Sequence, residues 1–179
     1  LEQFANALLD INMMGTATRN LVALKEVAAL NERLGQQLEQ VASIQRSLLP
    51  ERLPSIDGYK VASSYLTSAE AGGDYYDFFA LPGGRWGVLI ADVAGHGAAA
   101  ATVMAMLRAI LHAYEGSGES PAQTMAFCND KLASARLDGS FTTAFYDELS
   151  PETGEIEWAR CGHNPPRIRR AGGAVEVLE

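Results

Sequence analysis

Two runs, residues 74–81 and 85–92, are separated only by Pro82, Gly83 and Gly84, and this spacing constrains the fold more than any other feature. Both runs are rich in aromatic and branched apolar residues. A three-residue, Gly-containing loop between such runs predicts a β-hairpin. Pairing Leu81 with Arg85 sets Ala80 opposite Trp86, Phe78 opposite Val88 and Tyr76 opposite Ile90. The last pair on that face is Asp74 with Asp92. One face is therefore apolar along its length and ends in two opposed carboxylates. Directly opposite residues have Cβ atoms roughly 4.5–5.5 Å apart, and like charges there repel. Such a pair persists if one carboxyl is protonated, if both point into water, or if a cation lies between them. Gly72 and Gly73 precede Asp74, and Gly95-His96-Gly97 follows Asp92. These glycines leave room for a ligand to approach the backbone. The expectation is a divalent metal site.

The chain ahead of the hairpin has a different character. Residues 1–49 contain no proline and only two glycines, and Leu, Ala, Gln and Glu dominate. They predict helix. A 3-4 spacing runs through Leu24, Val27, Asn31, Leu34, Leu38, Val41, Gln45 and Leu48. With Leu24 at a, Asn31 and Gln45 also fall at a, where a polar residue can fix register in a two-stranded coiled coil. The expected organisation is a helical linker or dimerisation segment over 1–42 and a catalytic domain over 43–179. The alternative is an amphipathic helix packed on the domain itself. Pro50 and Pro54 end the helix.

After the linker the expected elements are a strand over 59–66, the hairpin, and a largely buried helix over 98–114. A loop follows at 116–119, then a helix opening at Pro121 and running to about 135. A second hairpin pairs residues 141–149 with 155–161, and two short strands lie at 167–170 and 174–178. Consecutive hairpins with inserted helices predict an α+β layered domain. No GxxxxGK[ST] loop exists, and the Gly-Gly-Asp run opens a strand rather than a helix, so a nucleotide loop is not expected.

The net charge is −8, from 14 Lys+Arg against 22 Asp+Glu. The densest basic run, Arg167, Arg169 and Arg170, is short, which argues against nucleic acid as a partner. Cys128 and Cys161 have no metal spacing and make no disulfide framework. The longest nonpolar stretch, 98–107, is too short to span a bilayer. A cytoplasmic protein with reduced thiols is expected.

Four motifs occur in order: ASIQRSLLP at 42–50, GGDYYD at 72–77, ADVAGHG at 91–97 and GHNPP at 162–166. Together they resemble the bacterial RsbU/SpoIIE-like branch of the PPM-type, metal-dependent serine/threonine phosphatases, over about residue 42 to the end. The resemblance implies an αββα sandwich of two antiparallel sheets flanked by helices, with two Mn²⁺ or Mg²⁺ ions at one edge. It implies Asp74 and Asp92 as catalytic metal ligands, Asp92 bridging the ions, with the Val93 backbone carbonyl on one of them. Oxygen ligands suit such hard cations, and the implied chemistry is attack of metal-activated water on phosphorus. The implied substrate is a phosphorylated anti-sigma-factor antagonist of the STAS type, in a partner-switching pathway with an upstream sensor domain. Relatives carry a later Thr-Asp-Gly motif that completes the metal centre. This chain reaches Glu179 without it, so the domain is expected to be incomplete at its C-terminus and this piece weakly active by itself. The rival expectation is a non-catalytic pseudophosphatase or dimeric regulatory module.

Other residues carry a functional and a structural reading. Asp77 and Gly73 either support the metal ligands or serve only the fold. His96 either donates to phosphate or the leaving group, or caps the helix after it or orients the loop. His163 is expected to brace the Asn-Pro-Pro turn. His112 is expected to be a satisfied core or edge residue, and Arg108 either to bind phosphate or to sit on a helix surface.

Overall fold

The computed structural model describes residues 2–67, 71–114, 120–135, 137 and 139–178, with side chains from residue 13 onward. The chain divides into two compact units, Leu1–Gln40 and Val41–Glu179. Helix α1 spans Glu2–Ser47, close to the expected end. In the first unit its apolar side chains face outward: Leu24, Leu30 and Leu34 are all more than half exposed.

The second unit is built on a four-stranded antiparallel sheet in the order β1 (Tyr75–Ala80), β2 (Trp86–Val93), β3 (Thr142–Ser150) and β4 (Glu155–Cys161). The β1–β2 register is the expected one, with Tyr76 opposite Ile90, Phe78 opposite Val88 and Ala80 opposite Trp86. Pro82–Gly84 forms a short 3-10 turn with Gly83 and Gly84 both at φ 74. The Leu81 N–H donates to the Arg85 carbonyl at 2.9 Å and closes the hairpin. β5 (Arg167–Arg169) and β6 (Val175–Val177) form a separate two-stranded sheet.

Helices α2 (Gly97–His112) and α3 (Pro121–Ser134) pack on one face of the four-stranded sheet. α3 starts as its sequence directs. Pro121 occupies the first turn, and Ser120 and Gln123 make a reciprocal capping box, which satisfies two backbone N–H groups that the helix leaves unpaired. Between helices and sheet lies the core: Tyr75, Leu89, Ala91, Val93, Val103, Met104, Leu107, Met125 and Tyr146.

The apolar face that ends in the aspartates is not the helix-covered one, and two expectations need correction. The helices take the other face, carrying Tyr75, Leu89 and Ala91, while Ile90 stays 49% exposed. Both faces of the hairpin are apolar, so alternation alone does not choose between them. Residues 59–66 form no strand, because no described backbone pairs with them. They lie instead over the open sheet face and, with Tyr76, Val88, Ile90 and Leu149, line a groove of about 600 Å³. Gln45 is not a seam residue; it is 2% exposed and hydrogen-bonded inside the second unit. The loop expected at 116–119 lies outside the described residues. Among the described residues, no helix is long and apolar enough to cross a membrane.

Candidate metal and phosphate site

Continuing the β1–β2 register one step past Tyr75–Ala91 sets Asp74 against Asp92, and Asp92 is itself paired with Thr143 of β3. Asp74, Asp92 and Thr143 thus form one row across three strands, on the open face. The two carboxylates interact. Partial burial raises the Asp74 carboxyl above its usual range, the charge of Asp92 raises it further, and His163 pulls it back. This is the repulsion that the hairpin register predicts.

The loop before Asp74 is held from several sides. The Val93 N–H donates to the Gly73 carbonyl at 3.3 Å, and the Gly97 N–H to Ala71 at 2.9 Å. Gly73 has no alternative. A Cβ there would lie 2.4 Å from the Val93 carbonyl oxygen, so only glycine lets the two segments approach so closely. Gln45, in the last turns of α1, clamps Gly72 with both ends of its amide. Its Nε2 donates to the Gly72 carbonyl at 2.6 Å, and its Oε1 accepts from the Gly72 N–H at 3.1 Å. Its Nε2 also donates to Tyr65, whose hydroxyl donates to the Asp74 carbonyl at 3.3 Å. Arg108 ties the same region to α2, its Nε donating to the Leu48 carbonyl at 2.7 Å.

The remaining candidates separate. Asp77 is buried on the helix-covered face, away from Asp74. It accepts from the Tyr75 hydroxyl and from the Phe78 N–H at 2.8 Å, and lies 2.7 Å from His112 Nε2. His112 is therefore satisfied by an edge partner, as expected. His96 stands at the N-cap of α2, but its side chain makes no capping bond. His163 does more than brace its turn. Its Nδ1 lies 2.9 Å from Thr143 Oγ1, in the aspartate row. The roles of Gln45 and Thr143 and the placement of His163 are not legible in the sequence. Extending the Asp74–Asp92 row onto a third strand reaches Thr143, but only once the β2–β3 pairing is known.

The donor set matches a hard divalent cation. Asp74 and Asp92 offer two carboxylates on one row, and the adjacent Val93 carbonyl packs against Gly73, where a Cβ would intrude. Mg²⁺-type sites commonly use one or two carboxylates and fill the other positions with water and substrate phosphate. Among the described residues, no group of three or more His, Cys, Asp or Glu side chains is gathered for a metal.

Several known proteins are similar to this chain in sequence and fold. Residues 82–179 match the family described as Stage II sporulation protein E (SpoIIE). The chain is 28% identical over 147 residues to the phosphoserine phosphatase RsbP of Bacillus subtilis, covering 80% of this chain and 36% of that protein. It is 26% identical over 137 residues to the phosphoserine phosphatase RsbU of the same organism, covering 76% and 40%. The chain therefore spans well under half the length of these relatives. Among solved structures, the RsbU and RsbW domains of a Mycobacterium tuberculosis protein superpose with a TM-score of 0.54 at 29% identity, covering 63% of this chain and 31% of that one. The SiaA-PP2C domain of Pseudomonas aeruginosa gives 0.56 at 20% identity, covering 73% and 54%, a likeness of fold. With more than half its residues matched by the family, the chain belongs to the SpoIIE family.

Proposed function

We propose that this chain carries the catalytic domain of a Mn²⁺- or Mg²⁺-dependent serine/threonine protein phosphatase. The observation that carries the reading is the opposition of Asp74 and Asp92 at the end of the hairpin, where Gly73 lets the loop before Asp74 approach Val93 closely. In this reading Asp74, Asp92 and the Val93 carbonyl would be the groups that hold the ions. Bound cations supply a polarised water for attack on phosphorus and offset charge on the phosphoryl oxygens. The chain's own residues fix the geometry. Gln45 and Tyr65 hold the Gly72–Asp74 backbone, and the Val93 N–H, donating to the Gly73 carbonyl, ties that loop to the end of β2. Asp77 has the different task of joining β1 to α2 through His112.

The substrate we propose is a phosphorylated protein of the STAS-type antagonist class, consistent with relatives named as phosphoserine phosphatases. Residues 1–42 act as a helical dimerisation segment, which the outward Leu24, Leu30 and Leu34 support. Residues 43–179 belong to an αββα sandwich of two antiparallel sheets flanked by helices. The sparse donor set favours one rival, a non-catalytic binding module. Phosphate release from a phosphoserine protein, with and without Mn²⁺, separates the two. The full-length protein is expected to turn over only with metal, and Asp92→Asn and Gly73→Ala to lose activity at least ~100-fold. Metal-independent binding of the phosphoprotein without phosphate release would establish the rival.

A further inference from the structure

Metal-assisted attack on phosphorus leaves one chemical step without a residue. When the phosphorus–oxygen bond of a phosphoserine breaks, the departing alkoxide is a poor leaving group and needs a proton. Two imidazoles stand near the aspartates, His96 by sequence and His163 by folding, and the structure treats them differently. His96 is exposed, with no bond from its side chain to the helix end it precedes. His163 is half-buried and held at two points. Its ring Nδ1 meets Thr143 Oγ1 at 2.9 Å, and its backbone carbonyl accepts from Arg160 Nη1 at 3.4 Å. Gly162, at φ 70, turns the chain back over Thr143, and Pro165 and Pro166 stiffen the segment leading into β5. Thr143 also reaches the Asp92 carbonyl, Oγ1 to O at 3.5 Å. If its hydroxyl donates there, Oγ1 is left to accept from an Nδ1–H, and Nε2 becomes the nitrogen available to a ligand over the aspartate row.

We infer that His163 is the proton donor to the leaving seryl oxygen, aimed by Thr143, an inference that rests on the phosphatase reading. The step balances. Water oxygen bonds to phosphorus and loses a proton to solvent, the phosphorus–seryl oxygen bond breaks, and the Nε2 proton of the imidazolium passes to the seryl oxygen. The dephosphorylated protein, its seryl hydroxyl restored, and inorganic phosphate leave, and solvent returns the proton to Nε2.

The test uses leaving-group dependence in the full-length protein with Mn²⁺, because a merely structural role would lower activity on all substrates alike. His163→Gln is expected to lose ~100-fold in kcat/KM on a phosphoserine peptide. On p-nitrophenyl phosphate, whose leaving group needs no proton, it should lose less than ~3-fold by the same reasoning. Thr143→Val should show the same discrimination, less strongly, and serves as the second probe if His163→Gln does not fold. Independently of turnover, orthophosphate should shift the His163 Nε2 resonance in ¹⁵N spectra and leave His112 unmoved. Equal losses on both substrates, no loss on either, or discrimination shown by His96→Gln in place of His163→Gln overturns the inference while leaving the phosphatase intact. A wild type inactive on both substrates removes the phosphatase reading and this inference with it.

Discussion

The two faces of the four-stranded sheet carry similar amounts of apolar side chain and lead different lives. On the helix-covered face, Tyr75, Leu89, Ala91 and Tyr146 are nearly inaccessible, and the acidic groups among them have partners. Asp77 has Tyr75 and His112; Glu148 has Arg85 at 2.6 Å and Tyr146. On the open face, Ile90, Ile156 and Trp158 remain at least 38% exposed, although Phe145 and Leu149 are buried. Its carboxylates face other groups. Asp74 stands against Asp92, and Asp147 sits between Val88 and Trp158. Burial, with Glu148 adding to it, pushes the Asp147 carboxyl up to about 7. The covered face is arranged for stability. The open face keeps two like charges together at one end, where a cationic ligand has something to gain.

Neighbours on one strand give the sharpest test of that contrast. Leu89→Ala on the covered face should cost about 2–5 kcal/mol in chemical denaturation, the range for buried Leu truncations. Ile90→Ala, one residue on, should cost less than about 1 kcal/mol, since half its surface is already in water. Equal costs would mean that the open face is covered as tightly as the other in solution.

The next largest effect should come from Asp147. A carboxyl with a raised folded-state pKa binds its proton more tightly when folded. Its contribution is present at low pH and is lost as pH rises from near 4 through about 7. Asp147→Asn should therefore leave stability unchanged at pH 4 and raise it by about 1–2 kcal/mol at pH 8. Thermal melts across that range check it; a pH-independent difference would contradict the burial argument.

Asp92→Asn should have a smaller effect on the metal-free fold. It removes one member of a repelling pair, so the melting temperature without metal should stay equal or rise, by no more than about 1 kcal/mol of stability. A marked loss of apo stability would show that the two carboxylates are not opposed. The smallest effect on the second unit should come from Leu24→Asp with Leu34→Asp. Both side chains are exposed in the first unit, so the domain's denaturation midpoint should not move. Sedimentation should nevertheless change from dimer to monomer if α1 pairs with its copy. A wild type already monomeric at high concentration would remove the coiled-coil proposal.

Much was readable from local chemistry alone. The hairpin register follows from the turn length and the strand alternation, and it is correct to the residue. The helix start at Pro121, the second hairpin and the two short strands are likewise set by neighbours in sequence. So is the opposition of Asp74 and Asp92, because a two-residue period carries a known pair along the strands.

Tertiary structure decided what such periods leave degenerate. Both hairpin faces were apolar, and only the packing of α2 and α3 chose one of them. Gln45 fitted a heptad as well as it fits the Gly72 backbone, since a helix repeats the same position whether a partner helix or a loop lies beside it. Residues 59–66 had strand-like composition, but a strand exists only where another backbone pairs with it. Thr143 and His163 joined the aspartates through a β2–β3 pairing that links residues about fifty positions apart. No local pattern encodes a contact of that range. It forms because burying Leu89 and Tyr146 together under the helices fixes which strands lie side by side.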